Sequence, residues 1–149
     1  MNISYDPNDI SYAVTPFAAW LVAGVLKFAV NSVKARKPAF GLIGYGGLPS
    51  NHSAIVSSMA ALIAFKESIG HPAFGVALAL AFIVMLDASS LRRQVGRHAA
   101  AINRLAGASA GYQSLRERMG HTRIEILAGI VVGIAVAAGV HAIEALLPH

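Results

Sequence analysis

The sequence contains no cysteine and few charged side chains, and both shortages narrow what the protein can be. Without cysteine there is no disulfide framework and no thiolate metal site. Charged residues make up 13% of the 149 residues, about half of their usual share in a soluble domain. Apolar residues make up 56%, and the mean hydropathy is +0.60. This composition predicts an integral membrane protein.

Acidic residues are scarce as well, with only seven Asp and Glu in the chain. A carboxylate-bound magnesium cluster is not readily assembled from so few acids, so we expect neither a metal nor another cofactor. The net charge of +5 indicates anionic partners. Because the basic residues lack the interleaved aromatic side chains that stack on bases, we expect membrane lipids as partners and no nucleic acid.

Two familiar kinds of segment are also missing. The first eleven residues contain Asp6 and Asp9 but no Lys or Arg, whereas a cleavable signal peptide needs a basic leader. The glycine-rich stretch 41–47 is not followed by Gly-Lys-Ser/Thr, as a Walker phosphate loop would be. We therefore expect neither a signal peptide nor a loop of that kind.

Four apolar segments indicate the fold. The second is about 13 residues long, too short to cross a ~30 Å hydrocarbon core without neighbouring protein. In the fourth, the spacing of Gly129 and Gly133 permits close approach of another helix. We predict one domain, residues 1–149, that is all-α and has a bundle of about four membrane-embedded helices. The segments are Tyr12–Val33, Ser53–Phe65, Pro72–Leu86 and Ile124–Leu147.

The polar stretch Leu91–Arg123 separates the third and fourth apolar segments. Val95, Ala99, Ile102 and Leu105 recur at helical spacing within it, among several arginines. This pattern predicts an amphipathic helix that lies at the membrane interface. An ordinary soluble helical hairpin is the alternative.

The basic residues are distributed unevenly if each apolar segment crosses the membrane once. One side then receives ten Lys and Arg, and the other receives only Lys66. The positive-inside rule puts the basic side in the cytoplasm, although some of these residues could serve phosphate instead. We expect a location in a bacterial plasma membrane with the basic side inside.

The polar residues best suited to chemistry fall on this basic side. Ser50, Asn51 and His52 follow a glycine-rich turn, where free backbone N–H groups and the positive end of a helix dipole suit a phosphate oxyanion. His121 and Glu125 are one helical turn apart. The carboxylate can accept a hydrogen bond from one imidazole nitrogen and leave the other free as a nucleophile or base.

Less specific interpretations exist for each of these residues. His52 could simply cap a helix, and His121 with Glu125 could be a helix-start pair. An acid at a membrane helix end is costly unless it is paired, so for Asp87 we favour a salt bridge to Arg92 or Arg93. Arginine side chains can also bind phosphate in a bidentate manner.

The motifs resemble those of a known superfamily. Residues 47–53, Gly-Leu-Pro-Ser-Asn-His-Ser, resemble the second signature (Pro-Ser-Gly-His) of the type 2 phosphatidic acid phosphatases. The run from His121 to Gly129 is similar to the end of their third signature, and Lys27 with Arg36 would stand for the first. The resemblance is closest to the divergent branch, the acid phosphatase/vanadium-dependent haloperoxidase-related proteins, and extends from about Lys27 to Gly133.

The sequence departs from the signatures at three points. Eight residues rather than six separate Lys27 from Arg36, so either the first helix breaks between them or Lys34 takes the arginine's role. Asn51 replaces the usual glycine. The arginines of the third signature precede His121 by nearly thirty residues instead of six. His98 has the family spacing from Arg92, but it lacks an acid four residues later, so His121 is the better candidate.

The resemblance implies hydrolysis of a phosphomonoester or diphosphate on a membrane lipid, without a metal. His121 would form a phosphohistidine, Glu125 would orient it, and His52 would protonate the leaving alkoxide. The superfamily usually uses more helices than this chain has, which makes a homodimer an expectation. The alternative is a non-enzymatic membrane protein that keeps the phosphate pocket. The implied substrate-binding residues are Lys27, Arg36, Ser50, Asn51, Arg92 and Arg93.

Overall fold

The computed structural model describes residues 9–38, 47–107 and 111–146. Gly46 and Leu147, which belong to the predicted glycine turn and fourth segment, lie outside the described residues. All regular structure within the described ranges is helical, which confirms the all-α prediction. The helices are α1 (Ser11–Ala35), α2 (Asn51–Lys66), α3 (Pro72–Leu86), a π-helical segment (Asp87–Leu91), α4 (Arg92–Ala106) and α5 (Arg123–Leu146).

Three helices are long and apolar enough to cross a membrane. They are α1, α5 and the continuous helix Pro72–Ala106, which joins α3 and α4 through the π-helical segment. The predicted amphipathic helix is thus present as α4, and it begins where α3 ends rather than after a loop.

The short helix α2 forms the centre of the bundle and packs against α1, α3 and α5. Its buried residues are mostly small, and several are serines whose hydroxyls bond within the helix. Ser58 Oγ, for example, donates to the carbonyl of Ile55 at 2.8 Å. Because its neighbours surround α2, its 16 residues need not span the bilayer alone, as the sequence predicted.

Close packing between α2 and α5 depends on the two glycines that the sequence singled out. A Cβ at Gly129 would collide with the Ser50 carbonyl oxygen, and one at Gly133 would collide with that of Ala54. A side chain on either glycine would therefore force the helices apart. The helix-contact role predicted for this pair is confirmed.

Residues 111–122, which precede α5, run back along α4 towards α3. Gly96 allows this return, because a Cβ there would collide with the carbonyl oxygen of Glu117. Asn103 fixes the segment, since its amide nitrogen donates to the Leu115 carbonyl at 2.8 Å and its amide oxygen accepts from Tyr112 Oη at 2.7 Å. The return brings residue 121 beside the end of α3.

A polar cluster joins α1, α2 and α5 at one end of the bundle, which we call the Lys66 end. Lys66 Nζ donates to Asp9, to Ser11 Oγ at 2.9 Å and to Glu144 at 2.8 Å. Burial raises the pKa of the Asp9 carboxyl, but hydrogen bonds from Lys66 and Ser11 outweigh it and hold that pKa below its ordinary value. Sequence analysis assigned no role to these acids.

The opposite end of the bundle, which we call the histidine end, contains the starts of α2 and α5. The Ser50 amide donates to the Glu125 carbonyl at 2.9 Å and ties these two starts together. The ends of α1 and α3 lie here too, so the antiparallel helices gather the ten basic residues at the histidine end and leave Lys66 at the other.

Candidate active site

His121 is held by backbone contacts to the end of α3. Gly120 precedes it with φ of +87°, a left-handed conformation that favours glycine, and packs against Ala88 and Arg93. The His121 amide donates to the Ala88 carbonyl at 2.9 Å, and a guanidinium nitrogen of Arg93 donates to the His121 carbonyl at 3.4 Å. Arg93 and His121, which are 28 positions apart in the sequence, are therefore adjacent in space.

The π-helical segment explains why the Ala88 carbonyl can receive this bond. In an α-helix that carbonyl would accept from the Arg92 amide, four residues later. Here the Arg92 amide donates to Asp87 instead, five residues earlier. The shifted hydrogen bond leaves Ala88 available to position His121.

Glu125 makes two kinds of contact at the start of α5. Its amide donates to the Thr122 hydroxyl oxygen at 3.2 Å, and its carboxylate accepts from the Thr122 amide at 2.9 Å, which together form a capping box. The same carboxylate lies 3.1 Å from Nδ1 of His121. His121 thus precedes the helix rather than opening it, but the predicted pairing with Glu125 is present and leaves Nε2 outside that contact.

His52 faces His121 from the first turn of α2. Their ring centroids are 6.2 Å apart, close enough for both rings to contact one phosphoryl group. His52 Nδ1 is buried and has no hydrogen-bond partner among the described residues. Leaving a buried polar atom unpaired costs about 1–3 kcal/mol, so this nitrogen is a natural position for a polar ligand.

One face of α1 lies against the start of α2. Gly24, Lys27 and Asn31 share this face at spacings of three and four residues. Asn51 Nδ2 lies 3.9 Å from the Cβ position of Gly24, and Asn31 Oδ1 lies 3.4 Å from that of Gly47. Lys27 is half-buried and lies within electrostatic reach of both His52 and Glu125.

The predicted salt bridge of Asp87 is formed with Arg92, whose Nε lies 2.9 Å from the carboxylate. Arg92 also acts electrostatically on His52. The fold therefore places Arg92 near His52, the histidine that faces His121, in spite of the long insertion between Arg92 and His121. Arg93 reaches His121 through its backbone carbonyl, as described above, and its side chain is largely exposed.

Two predicted phosphate ligands stand apart from the others. Arg36 is exposed after α1, in a left-handed conformation with φ of +52°, and no hydrogen bond or ion pair among the described residues joins it to either histidine. Of the two alternatives for the first signature, a helix break between Lys27 and Arg36 is wrong, because α1 continues to Ala35, and Lys34 in the role of the arginine stays a prediction. The Ser50 hydroxyl is fully buried and caps α2 by accepting from the Ser53 amide at 3.3 Å.

Sequence reasoning missed the residues that act through backbone or packing. Ala88 offers only its carbonyl, a role that no side-chain pattern could indicate. Asn31 had a signal, since it interrupts an apolar segment one turn after Lys27. Among residues 9–38, 47–107 and 111–146, no group of three or more His, Asp or Glu side chains could hold a metal ion.

Known proteins are similar to this chain over most of its length. The stretch 10–136 matches the family described as the divergent PAP2 family. The chain is also similar to YuiD, an uncharacterized membrane protein of Bacillus subtilis (strain 168), with 30% identity over 138 residues that cover 81% of this chain and 87% of YuiD. No solved structure matches the chain significantly. The chain is a membrane protein and belongs to the divergent PAP2 family.

Proposed function

We propose that this protein hydrolyses a phosphate ester or diphosphate of a membrane lipid at its histidine end. The observation that carries the proposal is the pair of facing imidazoles, His52 and His121, 6.2 Å apart. Glu125 contacts one of them, and basic groups surround both. Two histidines with separate environments supply what phosphoryl transfer demands, a positioned nucleophile and a proton donor.

His121 is the nucleophile in this mechanism. Glu125 holds Nδ1, so the lone pair of Nε2 attacks phosphorus while the bond from phosphorus to the lipid oxygen breaks. The carboxylate also offsets the positive charge of the phosphorylated ring. Water then attacks phosphorus, the phosphorus–nitrogen bond breaks, and inorganic phosphate leaves.

His52 acts as the general acid and then as the general base. It donates a proton to the lipid alkoxide as that oxygen departs, and it accepts one from the attacking water in the second step. Its place opposite His121 suits a group that acts on the far side of an in-line displacement.

Positive charge and backbone amides hold the phosphate oxygens. Lys27 and Arg92 lie within electrostatic reach of His52 from two different helices. The Ser50 hydroxyl caps the Ser53 amide, so the amides of Asn51 and His52 at the helix start are directed to the ligand. The lipid tail stays in the bilayer beside the apolar helix surfaces, and the positive-inside rule puts the histidine end in the cytoplasm.

A phosphatase assay on the purified protein tests this proposal. Several lipid phosphates would be offered in detergent with EDTA present, and released phosphate measured. We expect turnover that His121→Ala abolishes, together with an acid-labile phosphoenzyme. The matched control is His71→Asn at the Lys66 end, which keeps a helix cap and should retain activity.

Substrates with different leaving groups distinguish the roles of His52 and His121. His52→Ala should slow hydrolysis of a lipid phosphate strongly but affect p-nitrophenyl phosphate less, since p-nitrophenolate scarcely needs a proton. Full activity of His121→Ala, or equal losses on both substrates for His52→Ala, would refute the assigned roles.

One observation favours a second candidate, a phosphate-binding protein without turnover. Arg36 and the Ser50 hydroxyl, both expected to hold phosphate, lie away from the histidines or are committed to a helix cap. Binding of a lipid phosphate, seen as a raised unfolding temperature without phosphate release, would support this alternative.

A further inference from the structure

An apolar stripe follows one side of α4 and has no partner among the described residues. Its members recur at alternating spacings of four and three residues, and the apolar ones are 42–86% exposed. His98, also exposed, occupies the middle position. We call this set the α4 stripe; it consists of Leu91, Val95, His98, Ile102 and Leu105.

The residue types match a two-stranded parallel coiled coil. In heptad terms Val95 and Ile102 occupy a positions, whereas Leu91 and Leu105 occupy d positions. β-Branched residues at a with leucine at d favour a parallel pair of helices. His98 occupies the d position between them, and a single polar residue within such a seam, best known at a positions, fixes register at some cost in stability.

The flanks of the α4 stripe also suit a second helix. Gln94 and Ala101 at g positions and Ala99 and Ala106 at e positions are uncharged, and Arg92, at the remaining e position, is paired with Asp87 of its own chain, so repulsion between two copies is small there. The exposed arginines Arg93, Arg97 and Arg104 occupy c and f positions, away from the seam.

The α4 stripe continues onto the membrane helix. Val76, Leu80 and Ile83 are exposed on α3 at spacings of four and three. Ile83 and Leu91 are eight residues apart, one more than a heptad, and a single π turn takes up that extra residue. The exposed apolar line of α3 therefore resumes in register on α4, on the far side of Asp87, which is paired with Arg92.

The length of this helix favours a protein partner for α4. The 35 residues of Pro72–Ala106 extend about 50 Å, whereas the hydrocarbon core is ~30 Å thick. Part of the helix therefore stands outside the core, where lipid tails do not cover it. Copies that share one orientation in a bilayer present this helix in parallel, as the heptad pattern requires.

We propose that the α4 stripe is the dimer interface of this protein, with a second copy of the chain as its occupant. The two α4 helices pair in parallel, and the two His98 side chains meet across the axis. The exposed line on α3 extends the contact into the bilayer. This interface does not depend on the proposed hydrolysis.

Cysteine cross-linking tests the interface directly, because the chain has no cysteine of its own. Ile102→Cys and Leu105→Cys should each give a disulfide-linked dimer when isolated membranes are treated with copper-phenanthroline. The matched controls Arg97→Cys and Arg104→Cys, on the opposite side of α4, should remain monomeric. Equal cross-linking at all four positions, or none, would overturn the proposal.

Two further measurements test the interface without relying on disulfide formation. His98→Leu replaces the polar member of the seam, so the concentration for half-dissociation in detergent should fall roughly tenfold. An unchanged value would overturn the proposal. If Ile102→Cys gives no dimer and resists a water-soluble maleimide that labels Arg104→Cys, the α4 stripe lies in lipid and the proposal is wrong.

Discussion

Adding one methyl group at Gly129 should disturb both the stability and the chemistry of the protein. The Cβ of Gly129→Ala would meet the Ser50 carbonyl and lie 2.8 Å from Ser53 Cβ. Two carbon atoms pack best at about 3.5–4.0 Å, so α5 and α2 would have to separate by about 0.7 Å or more at this point. Gly129 lies one turn from Glu125, which makes the separation local to the two histidines.

Another glycine of α5 provides the reference. Gly139 has open space where its Cβ would be, with nothing within 4 Å. Both positions lie inside the same helix, so the gain in helix propensity from glycine to alanine is similar for each. The difference between the two variants then isolates the cost of overpacking, which is typically 1–3 kcal/mol.

Thermal unfolding in detergent, followed by circular dichroism, measures the first effect. A difference of about 2 kcal/mol corresponds to an unfolding temperature roughly 6 °C lower for Gly129→Ala than for Gly139→Ala. Phosphate release measures the second effect. A misplacement of about 1 Å costs on the order of a hundredfold in rate, so Gly129→Ala should lose most activity while Gly139→Ala keeps it.

Gly133→Ala distinguishes stability from site geometry. Its Cβ would meet the Ala54 carbonyl and lie 2.9 Å from the Ser58 amide nitrogen, one turn further from the histidines. It should destabilise the protein as much as Gly129→Ala but retain more activity. If Gly129→Ala and Gly139→Ala unfold at the same temperature and turn over equally, the close contact between α2 and α5 does not set the site.

Three other predictions concern single side chains. Arg92→Lys should lower activity at least tenfold because an ammonium cannot replace a guanidinium held by a carboxylate, whereas Arg97→Lys should be nearly silent; equal effects in a phosphate-release assay would contradict this. Glu125→Gln should lower the rate of phosphoenzyme formation, while Thr122→Ala, which removes only a cap bond, should mainly cost about 1 kcal/mol in thermal unfolding. Lys66→Met should lower the unfolding temperature but leave KM unchanged, because its cluster lies at the opposite end from the histidines.

Sequence analysis predicted the helices well because their signals are local. The length and hydropathy of the apolar segments indicated membrane helices, and the spacing of Gly129 and Gly133 indicated the contact with α2. Ser50 and Thr122 are residue types that helix starts favour, but sequence analysis assigned neither of them a capping role. What such patterns lack is the direction in which a chain returns after an insertion.

The candidate site depends on such a return of the chain, which the sequence pattern does not indicate. The distance in sequence between Arg92 and His121 cast doubt on a shared role, yet the return along α4 brings the histidine to Ala88. The contact uses a backbone carbonyl that a π turn releases, and backbone hydrogen-bond shifts leave no mark in side-chain periodicity. Arg36 is the opposite case, because its two-residue departure from the motif spacing was visible in the sequence and the uninterrupted helix α1 leaves it exposed.

The central position of α2 has a consequence for how the protein is made. This helix is short and rich in serine, so it gains little by entering the bilayer alone. Its most extensive contact is with α5, which the ribosome completes about 80 residues later. Insertion of α2 is therefore coupled to the synthesis of α5, and a nascent chain that stops before α5 should leave residues 51–66 exposed to protease outside the bilayer.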